Sequence, residues 1–336
     1  MDSKFLSCCF IEGGLTFAPD GLYHCSLPLH GNAGWPFICE YNGGDLPIDQ
    51  IVGSRNLYRQ RYRAGDATVC DGCVYYLREA DWETENSYLF NNLNIEHYTQ
   101  CNLRCSYCCW LTTHPVKMGI NPYPLLPILK SIIGNQWMDP NGSIFWGGGE
   151  PSLLKEFEKC MSFMLDLGIR NEISSNGTVF SRVIRDNLSN PKVSLCVSVD
   201  AGRPETYQKM KVPGKKSGDL FAAVWDNLVE YCHSGGDVSV KYILMESNST
   251  SEEIAAFVNL VHTRDVGKKI IVDASHHLRA LDEKIIKAAA GMVEALRGIG
   301  IEPLIGIHGA PTLPRERFVE RVTQYLKNLR SRGGLV

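Results

Sequence analysis

The sequence predicts an α/β chain: a partial (β/α)6 barrel of the TIM type, preceded by a small cysteine-rich, loop-rich segment. Three observations carry this. From Leu93 onward, strand-like and helix-like segments alternate at the length of β-α units, which favours parallel strands joined by right-handed crossovers. Some strands read as nearly continuous apolar runs, VSLCVSVD (193–200) above all. Residues 1–88 have a different grammar, rich in Gly, Cys and aromatics, with turn signals at PDG (19–21), HGNAG (30–34) and YNGGD (41–45) and little helical periodicity. The number of units favours a barrel over a doubly wound sheet. The expected organisation is an N-terminal module over 1–88, a barrel over 89–280 and a closing extension over 281–336.

Taken in order, LNIEHY (93–98) is the first strand of the barrel and PLLPILKSIIG (124–134) a helix in spite of its prolines. SIFW (143–146) is the second strand, followed by the helix LLKEFEKCMSFMLDLG, which ends at Gly168. NEISS and VFSRVIRDNL form the third pair, VSLCVSVD and DLFAAVWDNLVEYCH the fourth. VSVKYILM (238–245) leads to SEEIAAFVNLVHTRD, which opens with an S-x-E start signal. KKIIVDAS and LDEKIIKAAAGMVEALRGIG make the sixth unit, and EPLIGIHG a short seventh strand. The last segment, PRERFVERVTQYLKNLRSR, is basic, and at helical spacing it turns Phe318, Val322, Tyr325 and Leu329 inward.

The totals exclude several functions. Lys plus Arg is 34 and Asp plus Glu is 37 in 336 residues, a net charge of -3. That balance argues against a nucleic-acid partner, which calls for a basic excess. MDSKFLSCCF has no signal-peptide core, and no segment approaches the ~18 apolar residues of a membrane helix. A cytoplasmic protein with no membrane partner is expected. Its 13 cysteines are then thiols, and their clustering points to metal or iron–sulfur ligation.

The densest cluster is CNLRCSYCCW, beginning at Cys101 directly after the first barrel strand. Cys101, Cys105 and Cys108 stand at Cys-x3-Cys-x2-Cys spacing, with Cys109 following. Three thiolates hold three irons of a cubane cluster and leave the fourth iron open for chemistry. Zinc is the competing occupant, but it favours two C-x2-C pairs, and no second pair follows nearby.

Together with three further signals in strand order, this stretch resembles the radical S-adenosylmethionine (SAM) enzymes over about residues 91–280. The resemblance implies a catalytic [4Fe–4S] cluster on Cys101, Cys105 and Cys108, with Tyr107 as the aromatic residue before the third cysteine. Gly148, Gly149, Glu150 and Pro151 match the Gly-Gly-Glu-Pro motif that helps bind the SAM amino group. Ser175 and Asn176, in SSNGT, match the Asn-Gly turn after the third strand. In SVDA, Ser198 matches the residue that reaches the ribose and Asp200 one that lies near the substrate. Met245, with Leu244 and Glu246, falls where family members contact adenine through the backbone. The implied chemistry is reductive cleavage of SAM to a 5′-deoxyadenosyl radical, which abstracts a hydrogen atom from a substrate.

The N-terminal cysteines resemble the SPASM or twitch modules that hold auxiliary [4Fe–4S] clusters, here placed before the barrel as though permuted. The resemblance implies one auxiliary cluster on Cys25, Cys70, Cys73 and one of Cys8 or Cys9, with Cys9 preferred; zinc on the same residues is the alternative. Cys39 and Cys109 have no assignment, and Cys160, Cys196 and Cys232 are expected in the core. His97, His276 and His277 fall at strand ends near the active mouth, with Arg203, Lys241 and Glu246 as further candidate contacts. The expected reaction is oxidation, crosslinking or epimerisation of a peptide or protein side chain, with a sugar, nucleoside or antibiotic precursor as the alternative substrate. A flavodoxin or ferredoxin is the expected electron donor. A non-catalytic iron–sulfur or zinc-binding partner protein is the alternative of another class.

Overall fold

The computed structural model describes residues 4–25, 36–66, 68, 77–81, 88–108, 111, 123–213, 218–275, 282–306 and 315–331. Its strands are β1 (Lys4–Cys8), β2 (Gly14–Ala18), β3 (Gly21–Tyr23), β4 (Phe37–Cys39), β5 (Leu77–Asp81), β6 (Phe90–Ile95), β7 (Leu103–Cys105), β8 (Met138–Trp146), β9 (Arg170–Ser175), β10 (Val193–Ser198), β11 (Lys211–Pro213), β12 (Asp237–Leu244), β13 (Lys269–Ala274) and β14 (Leu304–Ile305). The chain divides into two compact units: Met1–Gln100 with Pro115–Ile173, and Cys101–His114 with Ser174–Val336. These divisions fall elsewhere than at residues 88 and 280, because N-terminal strands share a sheet with the first β-α units.

In the first unit β2, β6, β8 and β9 run parallel, with Phe17 level with Ile95, Ile95 with Trp146, and Trp146 with Ile173. β3 and β4 continue antiparallel from β2, and β1 pairs with β5 alone. Leu15, Phe17, Leu93, Ile95, Ile144 and Trp146 are fully buried, and the Trp146 indole donates to Asn171 Oδ1 at 2.9 Å. The helices Leu126–Gly134 and Phe157–Asp166 flank β8 in sequence and bury Leu129, Ile132, Phe157 and Met161.

The sequence led to a loop-rich module over 1–88; the structure corrects this with a 17-residue helix, Ile48–Ala64. Its inward face carries Ile51, Arg55, Tyr58 and Arg59, so half of the stripe is charged. A hydrophobic period cannot register a face whose helical spacing is kept by arginines.

In the second unit β10, β12, β13 and β14 form a parallel sheet. Helices Arg182–Asn187, Pro204–Met210, Leu220–His233, Ser251–Thr263 and Glu283–Gly298 alternate with these strands. Side-chain oxygens of Ser181, Asp219, Thr250 and Asp282 accept backbone N–H bonds at four helix starts, satisfying donors that a helix leaves open. The cap at residue 250 sits one position before the expected serine. β10 is alternating rather than continuously buried: Val193, Leu195 and Val197 point inward, while Ser194, Cys196 and Ser198 are half-buried. In the last helix Phe318, Val322 and Leu326 are buried; Tyr325 and Leu329 are intermediate. Parallel β-α units therefore dominate the described chain, the α/β class expected of a partial (β/α)6 barrel. Among the described residues no helix is long and apolar enough to cross a membrane.

Candidate active site

The cysteine loop belongs to the second unit, and its geometry begins with a two-strand ladder. β7 pairs antiparallel with β11, placing Lys211 opposite Cys105 and Pro213 opposite Leu103. The Ser106 N–H continues the ladder to the Met210 carbonyl at 2.9 Å. Cys101, Cys105 and Cys108 are each part-buried and none is in a disulfide. The Leu103 N–H lies 3.4 Å from Cys101 Sγ, and the Cys108 N–H donates to the Cys105 carbonyl at 3.1 Å.

Asn176 buttresses this loop. Its Nδ2 donates to Asn102 Oδ1 at 2.9 Å and reaches Cys101 Sγ at 3.6 Å. Its Oδ1 accepts from the backbone N–H of Thr178 at 2.9 Å and from that residue's hydroxyl at 2.6 Å, and Asn102 Nδ2 donates back to Thr178 Oγ1 at 2.8 Å. Ser175 Oγ accepts from the Gly177 N–H at 3.0 Å, closing the turn. Asn176, expected from resemblance as a cofactor contact, is thus seen holding the cysteine loop.

Burial pushes the Cys105 thiol up to about 12; the Lys211 ammonium works against that shift, while Cys101 and Cys108 add to it. Cys105 is therefore within electrostatic reach of both Cys101 and Cys108. Among the described residues no three His, Cys, Asp or Glu side chains gather around a single-ion position. A cubane does not require that, since it spreads its thiolates over separate irons. Three thiols on one braced loop, with Cys105 within electrostatic reach of the other two, fit such a cluster with one iron left open.

Asp200 ties the loop to the sheet of its unit. It is fully buried and adopts a positive φ of 60°, a region where Asp is among the better tolerated residues. Its Oδ1 accepts from the Ile243 N–H at 2.7 Å. Its Oδ2 accepts from the Tyr107 hydroxyl and lies 3.0 Å from Lys211 Nζ. Asn248 Nδ2 holds the Asp200 carbonyl at 2.9 Å. Burial, reinforced by Asp200, keeps the Tyr107 hydroxyl protonated, so it acts as a donor. Burial is the largest influence on Lys211 and opposes its charge, but Asp200, Tyr207 and Cys105 together outweigh it and hold the ammonium above the usual lysine range. Lys211 also donates to the carbonyl of Ser198, the last residue of β10.

Two residues of this arrangement were not singled out from sequence. Lys211 follows a helix in a basic stretch that reads as solvated surface. Glu253, read only as part of a helix start, is buried and accepts from the N–H groups of Gly202 at 2.6 Å and Arg203 at 3.1 Å, and from the Thr206 hydroxyl at 2.9 Å. It fixes the turn that follows Asp200. The spacing Thr250-x-x-Glu253 was a legible signal for the cap, though not for the carboxylate's destination.

The Gly-Gly-Glu-Pro motif lies in the first unit, after β8. The Gly149 N–H donates to the Tyr98 carbonyl and the Glu150 N–H to the Gln100 carbonyl, both at 2.9 Å. A Cβ on Gly149 would fall 2.2 Å from the Gln100 carbonyl oxygen. Gly148 has φ 78°, and a Cβ there would meet Tyr98 O at 2.8 Å. The glycines let the motif lie directly against the backbone of residues 96–100. Glu150 is buried, and its Oε1 accepts from the Ser152 hydroxyl at 2.6 Å.

The remaining expected residues scatter. His97 is buried beside Tyr123, ring centroids 4.7 Å apart, rather than solvated. Met245 is half-buried, its N–H donating to Asn248 Oδ1 at 2.7 Å; Glu246 is exposed. Lys241 is buried, and Arg203 is half-exposed, with Nε 3.9 Å from Glu253. Cys160 is fully buried as expected, whereas Cys196 and Cys232 are only part-buried. Cys8 ends β1, Cys9 opens a short helix and Cys25 is buried; Cys39 is part-buried. Cys70, Cys73, Cys109, His276 and His277 lie outside the described residues.

A family model described as the Radical SAM superfamily matches residues 95–261. Among solved structures, SuiB of Streptococcus suis with bound S-adenosylmethionine aligns with a TM-score of 0.49 and 12% identity, over 80% of this chain and 54% of that one. Native anSMEcpe with bound AdoMet aligns with a TM-score of 0.49 and 17% identity, over 64% of this chain and 63% of that one. A radical SAM methyltransferase from Sphaerobacter thermophilus gives 0.45 and 16%, over 64% of each chain. The chain spans less than two thirds of the length of each of these proteins.

Proposed function

We propose that this chain, whose residues 95–261 match the Radical SAM superfamily, is an iron–sulfur enzyme abstracting a hydrogen atom from a peptide or protein side chain. When bound, a [4Fe–4S] cluster would supply the single electron for reductive cleavage of SAM, and with it the species that abstracts the hydrogen atom. The protein's part is positional. Cys101, Cys105 and Cys108 provide the thiolates, and Asn176, Asn102 and Thr178 brace the loop that presents them. Tyr107, Asp200 and Lys211 close the buried side of that loop with paired charge rather than water. Gly148, Gly149 and Glu150 present backbone and carboxylate for the amino-acid end of SAM, and Ser198 and Met245 lie at strand ends suited to ribose and adenine.

The observation that carries this reading is the braced triplet: three thiols on one loop, set by hydrogen bonds from residues of the family's later motifs. A protein that merely bound metal would have no use for a Gly-Gly-Glu-Pro turn. The N-terminal cysteines, Cys9, Cys25, Cys70 and Cys73, support one auxiliary cluster able to accept the second electron of an oxidation. A peptide substrate follows from the resemblance of that cysteine pattern to auxiliary-cluster modules. A small one-electron carrier of the flavodoxin or ferredoxin kind and a cytoplasmic setting complete the reading.

The test is anaerobic reconstitution followed by iron analysis and a SAM-cleavage assay with dithionite. About eight irons per chain, falling to about four in Cys101→Ala/Cys105→Ala/Cys108→Ala and in Cys70→Ala/Cys73→Ala proteins, supports both clusters. Release of 5′-deoxyadenosine that the triplet variant loses supports the enzyme. Absence of SAM cleavage by an iron-loaded chain overturns it in favour of a binding protein. Incubation with deuterated peptide and small-molecule pools then tests the substrate class, through deuterium in the 5′-deoxyadenosine.

A further inference from the structure

Lys211 is 2% exposed, an unusual position for an ammonium. Three groups around it show what it faces. Asp200 lies 3.0 Å away, the Ser198 carbonyl accepts its proton, and Cys105 stands opposite it in the β7–β11 ladder. The Tyr207 ring packs beside it, with Nζ 5.7 Å from the ring centroid. Tyr207 has its own anomaly: its hydroxyl is buried without a hydrogen-bond partner among the described residues. That hydroxyl is within electrostatic reach of Cys105, Asp200 and Cys101. An orphaned buried donor costs stability unless something fills the gap. Sulfur carrying negative charge is the acceptor this surrounding lacks.

We propose that Lys211 and Tyr207 are positioning residues that set the reduction potential of the cluster held by Cys101, Cys105 and Cys108: the ammonium through its charge beside Cys105, the hydroxyl by donating to a thiolate or sulfide sulfur. The inference rests on the cluster reading above. Adding an electron makes a cluster more negative, so a nearby cation and a donor to sulfur both favour the reduced form. Asp200 opposes this by neutralising part of the Lys211 charge. The pair is therefore a graded control, with a cation to raise the potential and a carboxylate to restrain it.

The signs differ between variants, which makes the test sharp. Full-length protein is reconstituted anaerobically, and the midpoint of the cluster signal that vanishes in Cys101→Ala/Cys105→Ala/Cys108→Ala is followed by EPR-monitored redox titration without SAM. Lys211→Met is expected to shift the midpoint to more negative potential, and Tyr207→Phe to shift it the same way by less. Asp200→Asn is expected to shift it to more positive potential, and Lys211→Arg to stay near wild type. Should Lys211→Met fail to fold, Tyr207→Phe and Asp200→Asn still decide, because they remove one atom or one charge without loss of volume. Wild-type midpoints in Tyr207→Phe and Asp200→Asn, with the triplet's iron retained, overturn the inference and leave the cluster reading standing. Wild-type protein that takes up no iron at the triplet overturns the cluster reading itself, and this inference with it.

Discussion

Arg59 and Glu12, 47 residues apart in the chain, form an ion pair in which both side chains are almost wholly buried. The guanidinium donates to Glu12 Oε2 through both Nε and Nη2, and the Ser7 hydroxyl donates to Oε1 at 2.6 Å. A buried pair with its remaining acceptor satisfied costs most when one partner is removed. Arg59→Met is expected to destabilise the chain by about 3–5 kcal/mol. Combining it with Glu12→Leu is expected to recover part of the loss. Denaturant titration of the full chain by circular dichroism checks both, and equal losses in the single and double variants would refute a paired role.

Glu96 makes the first unit sensitive to alkali. Burial raises its carboxyl from an ordinary 4.5 to about 8, and its Oε2 is buried with no hydrogen-bond partner among the described residues. The unfolded chain releases this proton near 4.5, the folded chain only near 8. Between those values the folded state binds more protons, so stability falls as pH rises. At about 1.4 kcal/mol per unit the window is worth on the order of 5 kcal/mol. Glu96→Gln is expected to flatten this slope, read as the difference between wild-type and variant unfolding midpoints from about pH 5 to about pH 9. His24 slopes the other way below pH 6.5, since burial and then Arg55 hold its imidazole down to about 3.

The glycines divide into those that cannot accept a side chain and those that can. Gly149→Ala places a Cβ against the Gln100 carbonyl, and overpacking of this kind costs about 1–3 kcal/mol. It is expected to lower the unfolding midpoint and weaken SAM binding measured by equilibrium dialysis. Gly291 lies exposed within the helix Glu283–Gly298, with open space where an added methyl group would point. Gly291→Ala is expected to stabilise by about 0.5–1 kcal/mol.

Asn176 separates bracing from direct cofactor contact. Asn176→Ala removes the bonds to Asn102, Thr178 and Cys101. The reconstituted cluster is expected to lose iron several-fold faster in air, followed by the decay of its visible absorbance. Unchanged decay with weakened SAM affinity would assign Asn176 to the cofactor instead.

The β-α succession was legible because its signals are local. VSLCVSVD and DLFAAVWDNLVEYCH each declare their type within one short segment, SEEIAAF marks a helix start to within one residue, and Cys-x3-Cys-x2-Cys is self-contained. The helix Ile48–Ala64 was hidden because its buried face uses Arg55 and Arg59, and charge there reads as solvent. Lys211 was missed for the same reason: Asp200, the Ser198 carbonyl and Cys105, none of them a sequence neighbour, make its burial tolerable. The purpose of Gly148 and Gly149 was partly visible. Their need for close approach was evident, but the partner in the structure is the backbone of Tyr98 and Gln100.

The β7–β11 ladder has a mechanical side. A loop that carries three cysteines on its own would be a loose strap; here its middle is stitched to the segment that follows the turn after Asp200. Pulling on Cys105 therefore pulls on Lys211, and through it on Asp200 and the end of β10. Breaking the β7–β11 pairing would therefore free the middle of the cysteine loop from the strand end that Lys211 grips through the Ser198 carbonyl.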